Sequence, residues 1–207
     1  CHRGHRRREP GMMKRAVDMT LSALGLVLLA PVFLIIALMI RISSPGPVLF
    51  RQQRVGRGLR PFIMLKFRTM SIDAERGGLL TVTDDPRVTS VGRVLRKSKL
   101  DEIPQLLNVL RGDMSLVGPR ALDVEEHRAL EESVRGFNQR LLVLPGLTGL
   151  AQIYDQTDIA MDKFRYDLEY LQTMNMWLDL RLLTLSVLNT VGARWDRRVR
   201  RAMEIVW

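Results

Sequence analysis

Leu21 to Ile40 is a run of twenty residues without a charge, with Pro31 at its centre. A helix of that length is about 30 Å long, the thickness of a bilayer's hydrocarbon core. By length alone the run reads as an ordinary transmembrane helix. Two features oppose that reading. Pro31 removes a backbone hydrogen bond in mid-helix and bends the axis. Both flanks are cationic: residues 1–15 carry six basic side chains against Glu9, about +5, and residues 41–60 carry five arginines and no acid, again about +5. Positive flanks stay on the cytoplasmic side, so a straight span would put one of them on the wrong side. A helix bent at Pro31 that enters and leaves through one leaflet satisfies both constraints, each half reaching roughly 15 Å. The sequence therefore predicts a re-entrant membrane helix over residues 14–42, with Pro31 as the membrane break. Asp18 near its start and the lack of a small-residue cleavage site argue against a signal peptide.

The net charge of +10 is concentrated around this segment and at the C-terminus. Residues 61–193 hold sixteen basic and eighteen acidic residues, about −2. A nucleic-acid-binding domain carries its basic stripe on the folded body, and no aromatic ladder suited to stacking on bases is present. The distribution instead fits anionic membrane lipids as partners, with no nucleic acid. Cys1 is the one cysteine, so an internal disulfide framework is excluded. His2, His5 and His127 are scattered and suggest no zinc site. An oligomer is possible but not readable.

Residues 1–13 read as a basic tail or linker remnant, 14–42 as the membrane helix and 43–207 as a cytosolic domain. Within the last, Val48–Gln53 and Phe62–Thr69 are rich in β-formers and flank Gly56-Arg57-Gly58, which predicts a hairpin. Asp73–Asp85 reads as a polar loop. Helices are expected over Val88–Arg96, Glu102–Leu110, Glu125–Gln139 and Met161–Met174, with a Pro/Gly-punctuated loop over Leu141–Gln152. Leu178–Leu188 is apolar enough to pack on the domain or lie among headgroups. Trp195, Val199, Ala202 and Val206 recur at helical spacing among five arginines, either an interfacial amphipathic helix or a solvated terminal one. The fold class is α+β, mostly helical: a re-entrant helix, a small β-hairpin and amphipathic interfacial helices.

The candidate chemistry lies between Lys97 and Arg120, KSKLDEIPQLLNVLRGDMSLVGPR. Asp101 and Glu102 are adjacent acids ahead of Ile103, Leu106, Leu107 and Leu110 at helical spacing. Asp101 stands where an N-cap belongs, with Pro104 in the first turn. Asp101 could be only that cap, and Glu102 only a partner of the helix dipole. Arg96, Lys97 and Lys99 precede the acids. Lys66 and Arg68 alternate with Phe67 on a strand and so share a face, solvated or ligand-binding. Arg120 follows Gly118-Pro119 in a rigid turn, which favours a ligand contact. Asp113 reads as a turn former; Tyr166 and Asp167 are weak candidates.

These blocks, with SPGPVLFRQQRVG from Ser44, KFRTM from Lys66, DDPRVTSVGRVLRKSKLDEIPQL from Asp84, GDMSLVGPR from Gly112 and PGLTGLAQ from Pro145, resemble the bacterial sugar transferase family, the monotopic polyprenyl-phosphate phosphoglycosyl transferases. The resemblance extends from about Met13 to Leu185. Two positions depart from its usual pattern: Ala30 precedes Pro31 where serine is usual, and Ala121 follows Arg120 where proline is usual. The resemblance implies transfer of a sugar-1-phosphate from a UDP-sugar to undecaprenyl phosphate at the cytoplasmic face of the bacterial inner membrane. It implies Asp101 as nucleophile, Glu102 as its essential support and Arg96 on the phosphates; Lys66, Arg68 and Arg120 are the further candidates for phosphate contact. Mg²⁺, held by Asp101 and the diphosphate, is the implied cofactor. A membrane-tethered scaffold of the same fold without turnover is the alternative, and the intact Asp101, Glu102 and Arg96 argue against it.

Overall fold

A computed structural model describes residues 11–71, 85–155 and 159–192. Residues 1–10 of the N-terminal tail, most of the loop expected at Asp73–Asp85 and the basic segment around Trp195 to Val206 lie outside them, while Met12 and Met13 of that tail already belong to the first helix. In chain order the elements are α1 (Met12–Ser43), β1 (Leu49–Val55), β2 (Pro61–Phe67), α2 (Ser90–Ser98), α3 (Gln105–Arg111), β3 (Ser115–Val117), α4 (Val124–Ser133), β4 (Gly146–Thr148), α5 (Leu150–Tyr154), α6 (Ala160–Thr173) and α7 (Met176–Val191). The fold is α+β and mostly helical, as expected.

Among the described residues α1 is the one helix long and apolar enough to cross a bilayer. It runs unbroken through Pro31, which is therefore inside one helix and not between two. The lost bond costs about 3 kcal/mol, and packing on both sides of the proline offsets it. Asp18, Ser22, Ile36 and Ile40 are buried, with Leu26, Leu29, Val32 and Phe33 packed on the core between them. That i, i+3, i+4 stripe faces the rest of the protein along the whole helix. The opposite face exposes Leu24, Val27, Leu28, Leu34, Ile35, Leu38 and Ile42.

Both ends of α1 are fastened to the same body. Near its start, Lys14 Nζ donates to Asp179 Oδ2 (2.6 Å) and to the Val117 carbonyl (3.2 Å). Ser115 Oγ donates to Asp18 Oδ2 (2.7 Å), and the Leu116 amide to Asp18 Oδ1 (3.2 Å). Near its end, the Phe33 ring meets Phe67 of β2 at 4.5 Å between centroids.

β1 and β2 form the expected antiparallel hairpin, Leu49 opposite Phe67 and Val55 opposite Pro61. β3 and β4 pair in parallel, β4 lying within the segment Leu141–Gln152 expected to be a loop. Their approach demands glycine: a Cβ on Gly146 would stand 2.1 Å from the Gly118 amide nitrogen. The core is formed by α1, β2, α3, β3, Leu150, Ile153, Tyr170 and Leu182.

The helix expected over Glu102–Leu110 is displaced. α2 is capped by Thr89, whose Oγ1 accepts from the Gly92 amide at 2.9 Å, and ends at Lys99 in left-handed backbone (φ 60°). A 3₁₀ turn over Leu100–Glu102 follows, closed by the Glu102 amide on the Lys99 carbonyl (3.2 Å) and the Ile103 amide on the Leu100 carbonyl (3.3 Å), and α3 begins after Pro104. Asp101 is thus inside a tight turn and is not an N-cap. The helix expected over Glu125–Gln139 stops at Ser133, because Gly136 turns left-handed (φ 80°) and a 3₁₀ segment over Phe137–Leu142 takes over.

Candidate active site

The 3₁₀ turn sets the two acids in different surroundings. Glu102 points toward the hairpin and the β3–β4 pair. Lys66, from β2, donates to Glu102 Oε1 at 2.8 Å, and Arg120 Nη1 lies 3.8 Å from the same oxygen. These three side chains line a cavity with Met64, Gln105 and Leu147. Burial would lift the Glu102 carboxyl, but Lys66 and Arg120 outweigh it and hold it near 2. Glu102 is therefore a fixed anion that orients two cations.

Asp101 has the opposite character. Its side chain is buried, and Oδ1 has no hydrogen-bond partner among the described residues. Burial, and then the negative charge of Glu102, push its carboxyl above the usual carboxylate range, against the pull of Lys66, Lys99 and Arg96. A buried carboxylate oxygen without a donor is a poor structural element and a good nucleophile or ligand.

Arg96, on the last turn of α2, is half-buried; burial lowers its guanidinium from the ordinary value, and the Asp101 carboxylate opposes that. Its Nε donates to Thr69 Oγ1 at 2.9 Å, which fixes the guanidinium beside the turn. α2 sits close to Thr69 only because residue 92 is glycine: a Cβ there would lie 2.0 Å from the Thr69 carbonyl oxygen.

The structure gathers Lys66, Glu102 and Arg120 by direct contact, and Arg96 joins Asp101 electrostatically. It does not gather Arg68. That guanidinium donates to the carbonyls of Pro45 (2.6 Å) and Ser44 (2.8 Å) and to Ser44 Oγ (2.9 Å). Lys66 and Arg68, read from strand alternation as sharing a face, are engaged separately, Lys66 at Glu102 and Arg68 at the exit of α1. β2 ends at Phe67, and the carbonyls just past α1 lack intrahelical donors and attract a cation. Arg68 ties the hairpin to the exit of α1.

Residues 10–193 match the family model described as bacterial sugar transferase. The chain belongs to the bacterial sugar transferase family. It is 41% identical over 184 residues to the UDP-glucose:undecaprenyl-phosphate glucose-1-phosphate transferase of Escherichia coli (strain K12), covering 85% of this chain and 39% of that one. It is 41% identical over 183 residues to the exopolysaccharide production protein PSS of Rhizobium leguminosarum bv. phaseoli, covering 83% of this chain and 92% of that one. It is 37% identical over 191 residues to the UDP-N-acetylgalactosamine-undecaprenyl-phosphate N-acetylgalactosaminephosphotransferase of Aeromonas hydrophila, covering 88% and 45%. The chain thus spans less than half the length of the first and third.

Several residues that shape this sugar transferase's site carried no recognisable signal in sequence. Thr69 looks like any strand threonine, yet it orients Arg96. Asn108 is fully buried; its Oδ1 accepts from the Leu65 amide (3.0 Å) and its Nδ2 donates to the Ile63 carbonyl (2.7 Å), locking α3 to β2. An asparagine inside a short apolar helix was the available clue, since a buried amide must find partners.

Proposed function

We propose that this sugar transferase moves a sugar-1-phosphate from a UDP-sugar to undecaprenyl phosphate, starting a surface glycan at the cytoplasmic face of the bacterial inner membrane. The observation that carries the reading is the division of labour between adjacent acids. Glu102 is engaged by Lys66 and Arg120, while Asp101 keeps a buried, unbonded oxygen beside Arg96. The names of the relatives supply the substrate class, and they include more than one sugar.

The reaction runs in two displacements. Asp101 attacks the sugar-bearing phosphorus of the diphosphate; a phosphorus–oxygen bond forms and the bridging phosphorus–oxygen bond breaks, releasing UMP. Lys66, Arg96 and Arg120 stabilise the negative charge that moves onto the departing phosphate. The lipid phosphate oxygen then attacks the same phosphorus and the Asp101 carboxylate leaves. Glu102 does not react: it holds Lys66 and Arg120 in place for both steps.

No group of three or more metal-ligating side chains occurs among the described residues. Mg²⁺ nevertheless fits, because it takes one or two carboxylates and completes its shell with phosphate oxygens and water. The unbonded oxygen of Asp101 is the donor this chain offers. When bound there, the ion supplies positive charge between nucleophile and diphosphate.

The exposed apolar face of α1 is the surface we assign to the bilayer. Its opposite face is packed on the domain along its full length, and both of its ends are held by that domain. Such a helix presents one side to lipid without carrying either flank across, which supports the re-entrant, monotopic reading over a straight span. Trp177, Leu180, Val187 and Val191 on α7 add exposed apolar surface.

The test is release of UMP from a panel of UDP-sugars by the detergent-solubilised chain with undecaprenyl phosphate. Release with one or two sugars is expected. A folded, lipid-associated chain that releases none with any sugar is the scaffold and not the enzyme.

A further inference from the structure

Arg140 and Asp167 form an ion pair that the mechanism above does not use. Both are about 3% exposed. Arg140 Nε and Nη2 each approach Asp167 Oδ2 at 2.7 Å, and the guanidinium lies 5.1 Å from the Phe137 ring centroid. The surroundings are the small apolar cluster of Leu122, Phe137 and Phe164. A pair in such a place is a poor way to stabilise a fold: desolvation consumes much of the attraction, and well-packed apolar side chains do as well or better.

What apolar side chains cannot do is donate a hydrogen bond. Arg140 Nη2 also donates to the backbone carbonyl of Arg120 at 2.7 Å. Arg120 stands in an irregular stretch between β3 and α4, preceded by Pro119 and followed by Ala121, so that no proline stiffens the chain on its C-terminal side. Its side chain is 42% exposed, and its one ion pair among the described residues, to Glu102, is 3.8 Å long. The reach of that side chain into the cavity is therefore decided by where its backbone is held. An isolated bridge to Gly146 holds it from one side and Arg140 from another. The neighbouring Ala121 carbonyl receives only a long bond, 3.4 Å, from Arg54.

We propose that Arg140, oriented by Asp167, is a positioning residue that sets the Arg120 guanidinium against the diphosphate. Asp167 fixes the plane of the Arg140 fork, and one N–H of that fork fixes Arg120. The proposal rests on the reading of Arg120 as a phosphate-binding residue.

The test is a double-mutant cycle between Arg120→Ala and the paired apolar replacement Arg140→Met/Asp167→Leu, read as kcat/KM for UMP release and as Kd for UDP. Thermal unfolding of each variant is followed in parallel. The apolar pair is expected to keep the unfolding temperature within a few degrees of wild type while lowering kcat/KM tenfold or more. In the Arg120→Ala background the same replacement should cost less than twofold, since the residue it acts through is gone. Should the apolar pair fail to fold, Arg140→Lys replaces it: one ammonium keeps the charge toward Asp167 but loses the fork that serves both acceptors, so the same loss and the same coupling are expected. Losses that multiply independently overturn the inference and leave the function standing, as does an apolar pair of normal efficiency. An Arg120→Ala variant that matches the turning-over wild type overturns the assignment of Arg120 and the inference with it. If the wild type does not turn over, the UDP cycle alone decides: coupled losses in Kd uphold the positioning role, independent ones overturn it.

Discussion

Lys66 Nζ and Glu102 Oε1 are 2.8 Å apart, a partly buried pair joining the hairpin to the turn that carries both acids. Because Lys66 is committed to Glu102, the neighbouring Asp101 keeps an oxygen with no donor. The roles of the two acids follow from this pairing, and it makes their variants behave differently.

Asp101→Asn should abolish turnover without harming the fold. Burial and Glu102 raise the Asp101 pKa. Between the ordinary carboxylate value and the raised one, the native state holds a proton that the unfolded chain has shed. Stability therefore falls as pH rises through that window, and at neutral pH the ionised side chain is a net cost. Removing its charge should leave the thermal midpoint at pH 7.5 equal to or above wild type while UMP release falls to background. A lower midpoint with residual activity would assign Asp101 a structural role.

Glu102→Gln should move the acid limb of the pH–rate profile. The attacking Asp101 must be ionised, so kcat/KM rises with pH through its pKa. Replacing Glu102 removes a negative neighbour and releases Lys66, and both changes lower the Asp101 pKa. The limb should shift toward lower pH and the plateau should drop, because Lys66 and Arg120 lose their anchor. A limb that stays in place or moves upward contradicts the assignment.

Activity should vanish with EDTA and return with Mg²⁺. Arg96→Ala should lower kcat/KM at least tenfold, about 1.4 kcal/mol of transition-state stabilisation. Arg96→Lys should recover only part, since an ammonium keeps the charge and loses the fork that binds both Thr69 and phosphate. Metal-independent turnover, or normal efficiency in Arg96→Ala, would assign this charge to structure.

Arg68→Ala should act on stability and not on substrate. It deletes three hydrogen bonds to the exit of α1, for an expected loss of about 1–3 kcal/mol in unfolding free energy. KM for the UDP-sugar should stay within about twofold of wild type. A tenfold rise in KM with unchanged stability would return Arg68 to the substrate site.

Single cysteines at Gly11 and Arg60, in a Cys1→Ser background, should both resist an impermeant thiol reagent in intact cells. Labelling of one alone would mean that α1 carries a flank across the membrane. Pro31→Leu should push α1 toward that straight span, because it restores a backbone bond and raises apolarity.

The elements with a clear period were legible in sequence: the uncharged run of α1, the alternating strands of the hairpin and the amphipathic α2 and α6. β3 and β4 were not, since each has three residues and their pairing depends on Gly118 and Gly146, which advertise turns. The block around Asp101 and Glu102 stood out by its charges, but its local geometry was misread. Left-handed Lys99 ends α2, and the Glu102 and Ile103 amides bond three residues back to make a 3₁₀ turn where periodicity alone suggests a capped helix. Arg68 shows the limit of strand alternation, because a carbonyl-rich helix exit close in space and far in sequence captured it. Arg140 was hidden for the same reason, and Asp167 stood only as a weak candidate: their meaning lies in a contact across twenty-seven positions.

The nucleophilic role of Asp101 is tested most directly by mass. The chain is incubated with UDP-glucose in the absence of lipid phosphate, and its intact mass is measured, followed by peptide mapping. The account predicts a gain of one sugar phosphate on the peptide containing Asp101, absent in Asp101→Asn and removed on adding undecaprenyl phosphate. UMP release that occurs only with lipid present and leaves no adduct, or an adduct on a different residue, would contradict it.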